Sequence, residues 1–272
     1  MALLRALLLH CLAAAAAGAS VKQTQTSGDL KLDRTSQAKH RLRVCNAYPS
    51  ASAIDVYRGD KDERLFAKGS LTYKVCQDVQ TVLRVGDILE FRDGTDGLGT
   101  FSVSSLPDSD AVMLLVVQRH DVANGAASFE SHIFANVSSA QVAVIDAYRG
   151  SQQATASVTD AAGQSRAGRV ETLRFNRVVA VNSGVYDVAL VGQEGKRAAR
   201  KTWVALPREN YVILRTGLDA KRGSSYDQEL VVYPQSSEEA LRAGRSRAAR
   251  GAGSLLPAVL ALVAGAALSL HT

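Results

Sequence analysis

The chain contains few cysteines, prolines and aromatic residues, and it has no common catalytic motif. Its 272 residues include 3 Cys, 5 Pro and 1 Trp, and aromatic residues make up 6%. Neither a Gly-x-Ser-x-Gly nucleophile turn nor a His-Glu-x-x-His metal-binding helix occurs. Outside the two ends, no segment carries a sustained apolar stripe with helical spacing. These absences exclude a helical fold and the common hydrolase signatures.

Catalysis through residues brought together in space remains an alternative. His120 and His132 lie near the predicted junction of two modules, where a Ser/His/Asp site could be assembled. No other pattern predicts a nucleophile, a metal site or a cofactor. We therefore expect a protein that is not an enzyme and needs no cofactor. The alternative is a hydrolase or transferase whose site lies in a cleft where the two modules meet.

Residues 1–19 have the features of a secretory signal peptide. Arg5 precedes an apolar stretch from Leu7 to Ala17, and small residues follow as a cleavage site. The mature protein is therefore expected to be exported.

Residues 254–272 form an apolar tail that follows a predicted stalk, 236–253. The stretch from Leu255 to Leu270 contains Pro257 and falls short of the ~20 residues that span a bilayer comfortably. Arginines precede it and none follows, which is opposite to the positive-inside tendency. This pattern favours a cleaved signal for a glycolipid (GPI) anchor, with a retained transmembrane tail as the alternative. Either would hold the protein on the extracellular face of the plasma membrane.

Export also bears on the cysteines, because Cys11 would leave with the signal peptide. Cys45 and Cys76 then remain, and an oxidising compartment favours a disulfide between them. Two free buried thiols are the alternative, whereas two cysteines without a nearby histidine offer too few ligands for zinc.

The net charge of +6 and the pI of about 9.3 at first suggest a polyanionic partner. Much of that charge lies in the ends, since residues 20–39 and 236–250 each carry +2. Residues 40–129 carry −2 and residues 130–235 carry +3. The two ends are polar and poor in aromatics, which predicts disordered spacers and gives no support to a nucleic-acid partner.

A hexapeptide occurs twice, as Ile54–Gly59 and as Ile145–Gly150. Other landmarks recur in the same order, including Leu106-Pro107 and Leu206-Pro207, so we expect one module copied in tandem. About seven short strands per copy, separated by Gly and Asp clusters, predict an all-β protein of two tandem antiparallel, Ig-like β-sandwiches with disordered ends. The predicted modules are residues 40–133 and 134–235, which abut at a strand within Glu130 to Asn136 that serves both.

The run from Arg43 to Ser50, followed by Ala53 to Tyr57, a Val-Gly-Asp turn, a Leu-Pro pair and an apolar strand, resembles a β-sandwich repeat of exported bacterial proteins. That repeat is similar to AlgF, an accessory protein of alginate O-acetylation that contains two sandwiches. The resemblance covers residues 40–235. It implies two sandwiches and an accessory role in modifying an extracellular polysaccharide.

Two further features bear on ligands. Asn136-Val137-Ser138 is an acceptor sequence for N-glycosylation. Four cations crowd a predicted loop of module two and form a candidate polyanion-binding site: Lys196, Arg197, Arg200 and Lys201.

Asp55 and Asp146, which recur in the hexapeptide, are interpreted as partners of arginine or of the backbone, with a paired acid site as the alternative. The sequence thus favours a non-catalytic surface protein that binds a glycan or a protein.

Overall fold

The computed structural model describes residues 38–59, 63–67, 69–135, 137–161 and 170–253, which form sixteen β-strands and one α-helix. The first eight strands are β1 (His40–Ala47), β2 (Ile54–Arg58), β3 (Glu63–Arg64), β4 (Cys76–Gln80), β5 (Ile88–Asp93), β6 (Asp96–Ser102), β7 (Ala111–Arg119) and β8 (Ala127–Phe134). The second eight are β9 (Ala140–Asp146), β10 (Ala154–Asp160), β11 (Val170–Leu173), β12 (Arg177–Val181), β13 (Gly184–Gly192), β14 (Arg197–Ala205), β15 (Asn210–Leu218) and β16 (Tyr226–Tyr233). Many of them alternate core-facing apolar residues with outward-facing polar ones, as a half-buried strand requires.

Each set of eight strands forms a pair of four-stranded sheets, and the strand order is the same in both sets. The inner sheets run β4-β1-β7-β8 and β12-β9-β15-β16, and the outer sheets run β3-β2-β5-β6 and β11-β10-β13-β14. The predicted all-β fold of two sandwiches is confirmed. Each inner sheet also contains one parallel pair, β1 with β7 and β9 with β15, so the sheets are not purely antiparallel. The pair arises because the chain crosses to the outer sheet and returns beside its first strand in the same direction.

The two inner sheets pack on each other, so the molecule is four sheets thick. Strand β7 shows the arrangement, because its alternate residues Met113, Leu115 and Val117 belong to the core of the first sandwich. Val112, Leu114 and Val116 face a third apolar cluster that they share with residues of β9 and β15, including Ile145 and Leu214. The central inner strands are thus buried on both faces, which explains their nearly unbroken apolar sequences.

The duplication is real, but the repeated hexapeptide does not mark equivalent strands. Ile54–Arg58 is β2, whereas Asp146 ends β9, the counterpart of β1. The true counterpart of Asp146 is Asn46, because each side-chain oxygen accepts a hydrogen bond from the backbone N–H of a tyrosine two residues later. The tyrosines are Tyr48, at 2.9 Å, and Tyr148, at 3.1 Å. Matching strand registers place the first strands of the two copies 100 residues apart.

The two sandwiches do not share a strand, contrary to the prediction. Strand β8 ends at Phe134 and β9 begins at Ala140. Residues Ala127 to Phe134 are fully paired with β7 in the first sandwich, so the second sandwich needs a first strand of its own.

The segment predicted to be a disordered stalk contains helix α1 (Glu238–Gly253). The Ser237 side chain accepts a hydrogen bond from the backbone N–H of Ala240 at 3.2 Å, which caps the first turn. Arg242 pairs with Glu238 at 3.0 Å, one turn away, and Leu241 is buried. The cap and the buried leucine therefore order a segment whose composition is mostly polar.

Several predicted features lie outside the described residues. They are the signal peptide (1–19), most of the first spacer (20–39), Asn136 and the apolar tail (254–272). Within the described part of the chain, no helix has the length and apolar character needed to cross a membrane.

Arg43 is a buried charge between the two inner sheets. Its side chain is 1% exposed, and its Nε and Nη2 donate to the Asp78 carboxylate at 2.7 and 2.9 Å. From the second sandwich, the backbone carbonyl of Asn210 accepts from Nη1, and the ring of Tyr233 lies 4.9 Å from the guanidinium. Arg43 therefore bonds to both sandwiches at once.

Candidate functional site

The predicted disulfide is formed. Cys45 on β1 lies opposite Cys76 on β4, and their sulfurs are 2.01 Å apart. Both residues are buried in the cluster between the inner sheets. The bridge joins neighbouring strands across a sequence separation of 31 residues and is a structural element.

The four predicted cations do not share one loop. Lys196 lies in the β13–β14 turn, whereas Arg197, Arg200 and Lys201 lie on β14. Arg200 forms an ion pair with Asp187, and its hydrogen bond to that carboxyl lowers the pKa of Asp187. Lys196 and Arg197 line a groove of about 620 Å³ with Gln152, Gln153, Gln193, Gln228, Glu194 and Asp227, among others. One cation is thus neutralised, and two others face carboxylates.

The two recurring aspartates are both paired with arginines. Asp55 pairs with Arg64 on the outer sheet of the first sandwich. Asp146 lies 2.9 Å from Arg215, whose guanidinium stacks 4.5 Å from the ring of Tyr148. The aspartates belong to different sandwiches and do not form a paired acid site.

The two histidines are not brought together with a serine and an aspartate. His132 on β8 lies 2.9 Å from Glu130. His120 follows β7, and its carbonyl accepts a hydrogen bond from Arg149 at 3.2 Å. Neither lines the cavities of about 600, 620 and 230 Å³ found among the described residues. Across the described residues, no group of three or more His, Cys, Asp or Glu side chains could hold a metal ion.

The second sandwich contains a cavity of about 600 Å³ between the ends of its two sheets. Its polar lining consists of Asp160, Glu171, Thr172, Asn182 and Ser183, and its aromatic lining consists of Tyr186 and Trp203. The remaining residues are Val158, Leu173, Val179, Ala180, Val181 and Gly184. A volume of several hundred cubic ångströms with a few polar groups on apolar walls is typical of a small-molecule site. We call it the sandwich cavity.

Trp203 is the only tryptophan of the chain, and it is 2% exposed. Its indole Nε1–H is buried and has no hydrogen-bond partner in the described structure. The ring lies 5.3 Å from that of Tyr186, whose pKa is raised by burial and further by the nearby Asp160 and Glu171. A buried donor without an acceptor costs about 1–3 kcal/mol.

In the first sandwich, an arginine, Arg58, stands at the position equivalent to Val158 of the cavity lining. Arg58 on β2 is the counterpart of Val158 on β10, because Arg58 pairs with Leu89 and Val158 with Val188 in matching registers. Arg58 hydrogen-bonds to the Thr81 hydroxyl. It also lies 3.7 Å from Glu63 and 3.8 Å from Asp87.

All three partners of Arg58 have counterparts in the lining of the sandwich cavity. By strand register these are Val181 for Thr81, Glu171 for Glu63 and Tyr186 for Asp87. Trp203 takes the place of Val103. At this end of the second sandwich, Val158 thus stands where the first sandwich has an arginine. The aromatic rings of Tyr186 and Trp203 lie at the same end of the second sandwich. The cavity follows from these replacements.

The sequence did not identify the residues of this site. Asp160, Glu171, Tyr186 and Trp203 come from four strands, β10, β11, β13 and β14. A single tryptophan in a chain poor in aromatics is the one signal that could have pointed to it. Neither a protein-family model nor a curated protein matches the chain. The geometry therefore carries the functional argument.

Proposed function

We propose that the protein is a non-catalytic cell-surface protein whose sandwich cavity binds a sugar unit of an extracellular glycan. The observation that carries the proposal is the lining of this cavity, where two carboxylates lie beside the rings of Tyr186 and Trp203. Sugar hydroxyls donate hydrogen bonds, so one sugar can share the carboxylates of Asp160 and Glu171. Carboxylate oxygens have several lone pairs and can accept these bonds beside others.

A neutral sugar suits the acidic side chains of the sandwich cavity. Its lining contains Asp160 and Glu171, both of which also make interactions of their own. A neutral sugar brings no further negative charge to these carboxylates, and its hydroxyls can donate to their remaining lone pairs. The predicted cations Lys196 and Arg197 line a separate groove.

The predicted signal peptide and anchor signal would place the sandwiches outside the cell, next to matrix and surface glycans. The resemblance to AlgF suggests that the bound glycan is one whose modification the protein assists. In this proposal the protein holds the polysaccharide, and a separate enzyme modifies it.

The proposal can be tested by placing an arginine in the cavity lining, as at the equivalent position of the first sandwich. In the Val158→Arg variant, a guanidinium should occupy the sandwich cavity beside Glu171. We expect the secreted parent protein to bind neutral oligosaccharides on a glycan array, and the variant to bind them at least tenfold more weakly.

Thr155→Arg is the matched control, since it adds the same charge to an exposed position of the same strand, β10. It should bind as the parent does. Equal binding by the Val158→Arg variant and the parent would place the glycan elsewhere.

A further inference from the structure

A second cavity, of about 230 Å³, lies where the two sandwiches meet, near the starts of β1 and β15. We call it the junction cleft. The first sandwich contributes Lys39, His40, Arg41, Gln80, Asp110, Ala111, Val112 and Phe134, the connection contributes Ala135, and the second sandwich contributes Arg208 and Asn210. Three of these residues are cations and one is a carboxylate. The cleft is therefore opposite in charge to the sandwich cavity.

Two of the cations have no side-chain partner within the described chain. The backbone N–H of Lys39 donates a hydrogen bond to Asp110 at 2.7 Å. The ammonium group of Lys39 forms no hydrogen bond or ion pair with the described residues. Arg208 has no side-chain hydrogen bond or ion pair with the described residues. Arg41 is 43% exposed and lies 3.4 Å from Asp78. The cleft thus contains exposed cationic donors that bond no residue of the described chain.

Two nearby carboxylates, those of Asp78 and Glu209, are directed at the buried Arg43, whereas Asp110 in the cleft accepts from the backbone N–H of Lys39. Asp78 accepts two hydrogen bonds from Arg43, and Glu209 lies 3.8 Å from the same guanidinium. Asn210 adds a neutral donor, because its Oδ1 accepts from Gln141 at 3.1 Å, which leaves its amide N–H groups for a ligand. A donor set of two guanidinium groups, an ammonium and an amide suits the oxygens of an anion.

The backbone conformation of Arg208 is consistent with a role in binding. Its φ is 62°, in the left-handed region that a residue other than glycine, asparagine or aspartate seldom adopts. Such a conformation is strained for an arginine, and strained residues cluster at functional sites. Here it occurs in the loop between β14 and β15, at a residue that lines the cleft.

We propose that the junction cleft is a binding site for an oxyanion, a carboxylate or sulfate group, held jointly by both sandwiches through Lys39, Arg41, Arg208 and Asn210. The site is independent of the sandwich cavity and does not require sugar binding there. It assigns the anionic part of a ligand to the junction, where cations from both sandwiches converge, and not to the β13–β14 hairpin.

The test measures binding of sodium sulfate to the full secreted protein by calorimetry, at constant ionic strength adjusted with sodium chloride. The Lys39→Gln and Arg208→Gln variants should each bind sulfate about tenfold more weakly, because a charge-assisted hydrogen bond is removed. Arg222→Gln is the matched control, since it removes one exposed positive charge beyond the other end of β15. It should bind sulfate as the parent does.

A second arm replaces sulfate by a hexuronate oligosaccharide, which presents carboxylates on a sugar chain. The proposal is supported if the two cleft variants lose binding of either anion while the control retains it. The anion whose binding is lost shows whether the cleft takes a sulfate or a carboxylate. Binding that is equal in all four proteins, or that no protein shows, would overturn it. Circular dichroism of each variant checks that the fold is retained, and the Val158→Arg variant should bind both anions normally, which separates this site from the sugar site.

Discussion

At the scale of single residues, Tyr148 shows how one hydroxyl fastens the end of β9 to the loop after β15. Its O–H donates to Asp219 at 2.6 Å. Burial, followed by this hydrogen bond and the charge of Asp219, raises the pKa of Tyr148 to about 12. The folded protein thus holds the phenol proton more tightly than an unfolded chain, whose tyrosines titrate near 10.

This shift predicts how stability depends on pH. Because the pKa is higher in the folded state, the contribution of Tyr148 is fully present below about pH 10 and is lost as the pH rises towards 12. Urea unfolding at several pH values should show a fall in the free energy of unfolding across this window. The fall should be smaller in the Tyr148→Phe variant. An identical pH dependence of parent and variant would mean that Tyr148 titrates normally.

Single residues also show which parts of the site the sequence could reveal. The disulfide was predictable, because the expected export would leave only Cys45 and Cys76 to pair. The sandwich cavity was not, because its size depends on the absence of a long side chain at Val158. The short side chain of Val158 becomes informative only when it is compared with Arg58 at the equivalent position. The repeated hexapeptide aligns the two copies incorrectly and so hides this equivalence.

At the scale of strands, apolar runs reveal the strands that are buried on both faces, whereas strands poor in large apolar residues give little signal. The central strands β1, β7, β9 and β15 were found from their apolar runs. Strands β4 and β10 were missed, since the first has few apolar residues and the second, Ala154–Asp160, is rich in alanine and hydroxyl side chains. The run Leu71 to Val75 alternates apolar and polar residues as a half-buried strand does, yet in the structure it makes one isolated bridge, from Leu71 to Ile54.

The contact between the inner strands yields a prediction about Arg43. Replacement by alanine would leave the Asp78 carboxylate without its two strongest donors and the Asn210 carbonyl without its side-chain donor. We expect a loss of about 3 kcal/mol in the free energy of unfolding, as for a broken buried ion pair.

Arg41→Ala is the control, because Arg41 bonds the same aspartate from a side chain that is 43% exposed. It should cost less than about 1 kcal/mol. Urea unfolding of both variants makes the comparison. Equal losses would show that burial of Arg43 between the sheets adds nothing.

At the scale of the whole molecule, the shared cluster between the inner sheets predicts that the two sandwiches unfold together. Leu89 lies in the core of the first sandwich, and Trp203, the single tryptophan, lies in the second. Leu89→Ala should cost about 2–5 kcal/mol. Tryptophan fluorescence should report this loss although the reporter lies in the other sandwich.

Circular dichroism should give the same unfolding midpoint as fluorescence for the Leu89→Ala variant. A fluorescence midpoint unchanged from the parent, with an earlier transition in circular dichroism, would show that the sandwiches unfold separately. The rigid four-sheet arrangement would then not describe the protein in solution.

The central claim, that the sandwich cavity binds sugar, is tested most directly by the fluorescence of Trp203. Because the chain has one tryptophan, any change in its emission on titration with a neutral oligosaccharide reports on this cavity. We predict a saturable change in the parent and in Thr155→Arg, and none in Val158→Arg. Glycan binding that leaves the Trp203 emission unchanged in the parent, or a full response in Val158→Arg, would contradict the account.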